Sequence, residues 1–245
     1  MKCFYYMFHP LHNEFLPILL YLGFAIYFWI TCCLIFAEVG VYGTFTEENS
    51  VYLAFFLTLV IAMSLTVSVF YFLWYPISIP IWKCLELINL LFIFTMIFVA
   101  TFVFAIVELK DTTLYLAVLI SLFLVFIAVL TLIVLGSWLQ QPLLVQIAWG
   151  VTAAVISVIF FMDYTFIATF RCKVVWYRTL ILETFFIVTG VVLFALKIPE
   201  ICFRSKWVHL FFSSYIILII CVISFIFEVH NAMIYLIKLN EGSLS

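Results

Sequence analysis

Five ionisable side chains lie inside apolar stretches of this chain, where a charge could do chemistry or hold a ligand. They are Glu38, Glu86, Glu183, Glu228 and His230. An ionisable group at the centre of a membrane helix costs roughly 2.5–3.5 kcal/mol, so such groups are functional candidates by default. Glu38 and Glu86 lie near the ends of their apolar stretches, where a carboxylate reaches interfacial water, and this favours a structural role for both. Glu183 and Glu228 lie deeper.

The last apolar stretch contains a possible polar cluster. Glu228 and His230 are two residues apart, so they point to different faces of a helix. A Ser in such a helix usually hydrogen-bonds its own i−4 carbonyl, which is the simpler interpretation of each Ser taken alone. A polar cluster remains the alternative. The further polar side chains of this stretch are Ser213, Ser214, Tyr215 and Ser224.

Metal and nucleophilic catalysis are both disfavoured by spacing. A catalytic zinc site needs about three protein ligands, typically His. His9 and His12 precede the first apolar stretch, and His209 and His230 lie near opposite ends of the last one. The four cannot converge at one depth. No Ser lies in a G-x-S-x-G turn, and no candidate base lies at an informative spacing from a nucleophile.

The composition predicts a membrane protein. Hydrophobic residues make up 69% of the chain and charged residues only 9%, whereas soluble domains carry about 25% charged residues. A core built from 245 residues cannot hide 30 Phe, 13 Tyr and 7 Trp from water. Lipid is therefore the expected solvent.

The charge pattern argues against two kinds of binding surface, and the cysteines fix no redox compartment. The net charge is −2 and like charges form no run, so neither a nucleic-acid surface nor a polybasic lipid-binding arm is indicated. The seven cysteines show no C-x-x-C spacing. Cys32, Cys33 and Cys221 lie inside apolar stretches, where Cys acts as a small hydrophobe.

The pattern predicts an all-α membrane protein, a bundle of seven transmembrane helices. A crossing needs about 20 apolar residues, and the backbone must be hydrogen-bonded internally. The expected parts are a short N-terminal segment 1–14, a transmembrane domain 15–237 and a tail 238–245, with the first span retained rather than cleaved. The spans are expected near 15–40, 51–75, 80–107, 113–136, 143–168, 174–197 and 207–237. Pro199 is expected to end the sixth span.

Orientation does not follow from charge. The positive-inside rule compares Lys and Arg in the loops on the two sides of the membrane. The seven predicted spans divide the ten Lys and Arg residues equally between the two sides.

Two motifs of the chain are specific enough to compare with known families. Val188-Thr189-Gly190, followed by Lys197-Ile198-Pro199-Glu200, is similar to the sixth-helix signature I-T-G-x-x-L-Y-x-x-R-I-P-E of the progestin and adipoQ receptor family, which includes the adiponectin receptors. His12-Asn13-Glu14, followed by Gly23-Phe24, resembles the entry to its first helix. Leu85-Glu86 stands where the family has Leu-Asp. The resemblance implies a seven-helix fold with the N-terminus in the cytosol and the C-terminus outside.

The departures from the family's pattern concern its zinc site. The family holds zinc with His in S-x-x-x-H on the second helix and in S-H-x-x-x-H on the seventh. Here Ser64 is followed by Ser68, and Ser213 is followed by Ser214 and Leu218. The resemblance therefore implies a metal-free, receptor-like protein without cofactor, whose candidate polar cavity is lined by Ser64, Ser68, Glu86, Ser213 and Ser214.

Four functional hypotheses follow. The first is a receptor-like protein that binds a lipid or a partner protein within the membrane. The second is a ceramidase-like membrane hydrolase with a non-standard site built from Glu86, Glu228 and His230. The third is a transporter or channel that uses Glu183 and Glu228, although paired helix breaks and repeats are not seen. The fourth is a structural membrane protein of an unrelated family.

Overall fold

The structure is a computed structural model, and it is all helical throughout the residues that it describes. It describes residues 15–37, 48–74, 79–108, 115–162, 185, 188–190, 192–193, 196–198 and 214–240. The long helices are α1 (Phe15–Phe36), α2 (Glu48–Trp74), α3 (Ile79–Glu108), α4 (Tyr115–Trp138), α5 (Pro142–Met162) and α6 (Ser214–Asn240).

Five of these helices, α1, α2, α3, α4 and α6, are long and apolar enough to cross a membrane. The described apolar part of α5, Pro142–Val155, is shorter. An integral multi-pass membrane protein is therefore the structural class, by length and composition. The predicted sixth span, 174–197, falls largely outside the described residues, as does Glu38.

Aromatic pairs show that α1 and α2 run antiparallel. Tyr21, near the start of α1, stacks on Phe72, near the end of α2, with ring centroids 5.5 Å apart. Phe36, at the end of α1, packs on Phe55, near the start of α2, at 5.4 Å. We call the end of the bundle where α1 begins end A, and the opposite end, where α2 begins, end B.

The last helix returns to the first three. Tyr215, at the start of α6, meets Phe72 at end A with ring centroids 6.5 Å apart. Further along, the ring of His230 meets Phe28 of α1 edge-on at 5.1 Å. Thus α6 runs parallel to α1 and antiparallel to α2, and it also packs against α3.

A tight turn joins α4 to α5 at end A. Gln140 has φ 53°, the left-handed region, and the Gln141 amide donates to the Gly136 carbonyl at 2.9 Å. A Cβ on Gly136 would lie 3.0 Å from a methyl of Val145, so the first turns of α5 pack directly on α4. The two helices form an antiparallel hairpin, and α4 in turn packs on α3.

The core lies between α1, α2, α3 and α6. Large side chains with almost no exposed surface include Phe28, Leu57, Phe94, Phe98, Phe104 and Ile234. By contrast, α4 buries only a narrow stripe of residues and exposes Leu116, Leu124 and Trp138. A helix that is apolar on its exposed face suits a lipid boundary, so α4 lies at the edge of the described bundle.

Candidate functional site

In the described part of the chain, side chains of α2 hydrogen-bond each of its three neighbouring helices. In lipid the hydrophobic effect does not drive helices together, so hydrogen bonds between helices and close packing determine their positions. The three pairs are Thr66 with Trp29 of α1, Ser68 with Asn89 of α3, and Thr58 with His230 of α6.

The pair at the centre of the bundle is Thr58 and His230. The Thr58 Oγ1 lies 2.9 Å from His230 Nε2, and both residues are fully buried. The Thr58 hydroxyl also donates to the Ala54 carbonyl at 2.7 Å. A hydroxyl has one proton, and Thr58 donates it to the Ala54 carbonyl. In the contact with His230, Nε2 therefore carries the hydrogen and donates it to Thr58 Oγ1.

A second polar group joins α2 to α3 nearer end A. Ser64 and Ser68 lie one turn apart on α2, and both are buried. The Ser68 hydroxyl shares its proton between Asn89 Oδ1 at 2.8 Å and the Ser64 carbonyl at 3.1 Å. Asn89 itself is only partly buried.

The third pair lies on the lipid-exposed side of α1 and α2. The indole N–H of Trp29 donates to Thr66 Oγ1 at 3.0 Å, and the Thr66 hydroxyl donates to the Ala62 carbonyl at 2.7 Å. Trp29 lies in the middle of α1, far from interfacial water. The bond to Thr66 therefore satisfies an indole donor that lipid chains cannot satisfy.

The structure brings together only some of the residues singled out from the sequence. Ser64 and Ser68 share one buried face of α2, whereas Glu86 is exposed on α3 and Glu228 is half-buried on α6. His230 lies at the level of Thr58. Ser214 begins α6, and Ser213 and Glu183 lie outside the described residues.

The two buried polar groups lie at different depths. Thr58 and Ser68 are ten residues apart on α2, which is about 15 Å along a helix axis. His230 is bound at the Thr58 level, and Glu86 lies one turn from Asn89, at or beyond the Ser68 level. The arrangement therefore does not bring Glu86 and His230 to one place.

Sequence reasoning missed Thr58, Thr66 and Asn89. A Thr in an apolar helix usually bonds its own i−4 carbonyl, and Thr58 and Thr66 do so while also accepting a second contact. Asn89 could have been found as a carboxamide at an interior position of an apolar span, where both of its polar atoms need partners.

Side chains able to ligate a metal are dispersed in the described part of the bundle. Among the described residues, no three His, Cys, Asp or Glu side chains come close enough to hold a metal ion together. Cys32 and Cys221 are buried and Cys33 is exposed. The expectation of a zinc-free protein stays a prediction.

Comparison with known proteins adds no relative. No protein-family model matches the chain, and no curated protein matches it significantly. The likeness to the progestin and adipoQ receptors therefore rests on the two sequence motifs.

Proposed function

We propose that this chain is a seven-helix membrane protein of the progestin and adipoQ receptor type that binds a lipid or a partner protein within the membrane and needs no zinc. The observation that carries the proposal is the environment of Ser68. Ser68 occupies the position of a zinc-binding His in the resembled family, and its hydroxyl hydrogen-bonds Asn89 of α3. Protein zinc sites use Cys, His and carboxylates rather than neutral hydroxyls.

Helix directions support a seventh crossing between residues 162 and 214. α5 begins at end A after the turn from α4, so it ends at end B with Met162. α6 begins at end A, because Tyr215 packs on Phe72 there. A chain that leaves one end and returns at the other must cross the bundle an odd number of times in between.

Close packing at Gly190 supports a helix beside α6 in this interval. Residues 188–190 and 192–193 are helical. A Cβ on Gly190 would lie 2.9 Å from the Cβ of Cys221 and 3.2 Å from a methyl of Leu218. Small residues allow membrane helices to approach this closely. The Gly of the V-T-G motif thus has a packing role.

The residues after Gly190 support a helix end where the motif predicts one. Lys197 has φ 50°, and the Ile198 amide donates to the Leu193 carbonyl at 3.0 Å. A left-handed residue with a bond of this type is the Schellman ending of a helix. The predicted stop at Pro199 agrees with this ending, although Pro199 itself lies outside the described residues.

The hydrolase hypothesis receives less support. It requires Glu86 and His230 to share a metal ion or a water molecule. The polar groups with which these residues align on α2 are separated by about 15 Å along the axis. Ligands of one zinc ion lie within about 2.0–2.2 Å of the metal. Binding therefore fits the arrangement better than hydrolysis does.

The test is to purify the protein from membranes without a chelator and to measure its zinc and its retained lipids. Elemental analysis should give far less than one zinc per protein, and mass spectrometry should find a lipid class enriched over its share of the source membrane. Stoichiometric zinc that is lost in Glu86→Gln or His230→Ala would overturn the proposal and restore the hydrolase hypothesis.

A further inference from the structure

The half of α3 nearest end A is less enclosed than the other half. From residue 81 to residue 93 no side chain is fully buried, whereas buried side chains recur from Phe94 onward. Asn89 lies in this more open half. Asn89 keeps part of its surface exposed, even though Ser68, its hydrogen-bonding neighbour, is buried.

The carboxamide of Asn89 has hydrogen-bonding capacity left over. Its Oδ1 accepts from the Ser68 hydroxyl at 2.8 Å, which turns the Nδ2 group, with its two N–H donors, away from that contact. Among the described residues, the bond from Ser68 is the one hydrogen bond that the Asn89 side chain makes. An amide without a partner in hydrocarbon costs several kcal/mol, and lipid chains offer no acceptor.

The depth of Asn89 restricts what can satisfy these donors. Asn89 is eight residues beyond Ile81, where the span begins, or about 12 Å along the axis. The whole span has 27 residues and is about 40 Å long, against a hydrocarbon layer of about 30 Å. Asn89 thus lies several ångströms below the level at which bulk lipid carbonyls and water end.

We infer that Asn89 recognises the acyl carbonyl of a lipid lying in the open half of α3, with Nδ2 donating to the carbonyl oxygen while Ser68 holds Oδ1. This inference rests on the proposed binding function and names its ligand class. An ester or an amide carbonyl has the required acceptor. Glu86, one turn closer to end A and exposed, lies on the headgroup side of such a lipid and accepts hydrogen bonds from its hydroxyls.

The experiment uses the full chain in nanodiscs of ether-linked phospholipid, which has no acyl carbonyl. Three probes are titrated: a diacylglycerol, an N-acyl amino alcohol and a dialkylglycerol. At least one of the two carbonyl probes should bind about 10-fold more tightly than the ether probe, which is the effect of one good hydrogen bond. Asn89→Leu, which keeps the branched shape, should abolish the difference. Thr95→Val, on the same helix, should keep it.

A second measurement needs no variant. A probe labelled with carbon-13 at its carbonyl should show an infrared band lowered by hydrogen bonding when it is bound to the unmodified protein. Equal binding of carbonyl and ether probes with an unshifted band would overturn the role of Asn89 while leaving lipid binding intact. Failure of all three probes to bind would overturn the inference together with lipid binding as the function.

Discussion

The Thr58 hydroxyl and Nε2 of His230 lie 2.9 Å apart and join residues that are 172 positions apart in the sequence. Neither residue has exposed surface. The edge of the imidazole ring meets Phe28 of α1, so His230 contacts both α1 and α2. Because most of α6 is apolar, a buried polar contact of this kind helps to fix the rotation and axial register of the last helix.

Replacing Thr58 with Val tests this role, since Val keeps the shape and removes the hydroxyl. We expect the free energy of unfolding to fall by about 1–2 kcal/mol, because His230 loses its Thr58 contact in a buried site. Unfolding in mixed detergent micelles or by steric trapping measures the loss. Thr101→Val is the control, because among the described residues the buried Thr101 hydroxyl bonds only the Ile97 carbonyl of its own helix. Equal losses in the two variants would contradict the assigned role.

Gly190 gives a prediction about how the helical residues 188–190 pack on α6. Gly190→Ala would place a Cβ 2.9 Å from Cys221, so the helices must separate, and we expect a loss of about 1–3 kcal/mol. Gly150→Ala is the matched control, because outside its own helix turn no described atom lies within 4 Å of its new Cβ. That change should be neutral or stabilising by up to about 1 kcal/mol. If Gly190→Ala and Gly150→Ala change thermal unfolding equally, the close packing of Gly190 on α6 is contradicted.

Lys197 gives a prediction of opposite sign. Its φ of 50° strains an L residue with a Cβ, so Lys197→Gly should stabilise the protein by about 1 kcal/mol. Lys197→Ala keeps the Cβ and removes the charge, so it should not stabilise. The melting temperatures of the two variants and of the unmodified protein, measured in the same detergent, test this expectation. A gain in the Ala variant equal to that in the Gly variant would assign the effect to charge.

Much of the helical organisation was predictable from the sequence, since runs of apolar residues long enough to cross a bilayer are rare in any other context. Predicted spans such as 51–75 and 80–107 differ from α2 and α3 by three residues or fewer at each end. The first span was predicted to 40 and α1 ends at Phe36. Apolar runs do not mark the exact residue where a helix stops.

The site was less predictable, because hydrogen bonds between helices depend on how each helix is rotated. In helices that are apolar on every side, no polar face indicates that rotation. Ser64 and Ser68 drew attention through the family motif, and they do share a buried face. Thr58 and Asn89 carry no charge and belong to no motif. Their hydrogen bonds to His230 and Ser68 are therefore visible only in the structure.

The most direct test of the whole account is the side of the membrane on which each terminus lies. Seven crossings put the termini on opposite sides, and the resemblance puts the N-terminus in the cytosol. In intact cells, a tag before Met1 should be protected from added protease, and a tag after Ser245 should be cleaved. Both tags on the same side would mean an even number of crossings and would contradict the seven-helix proposal.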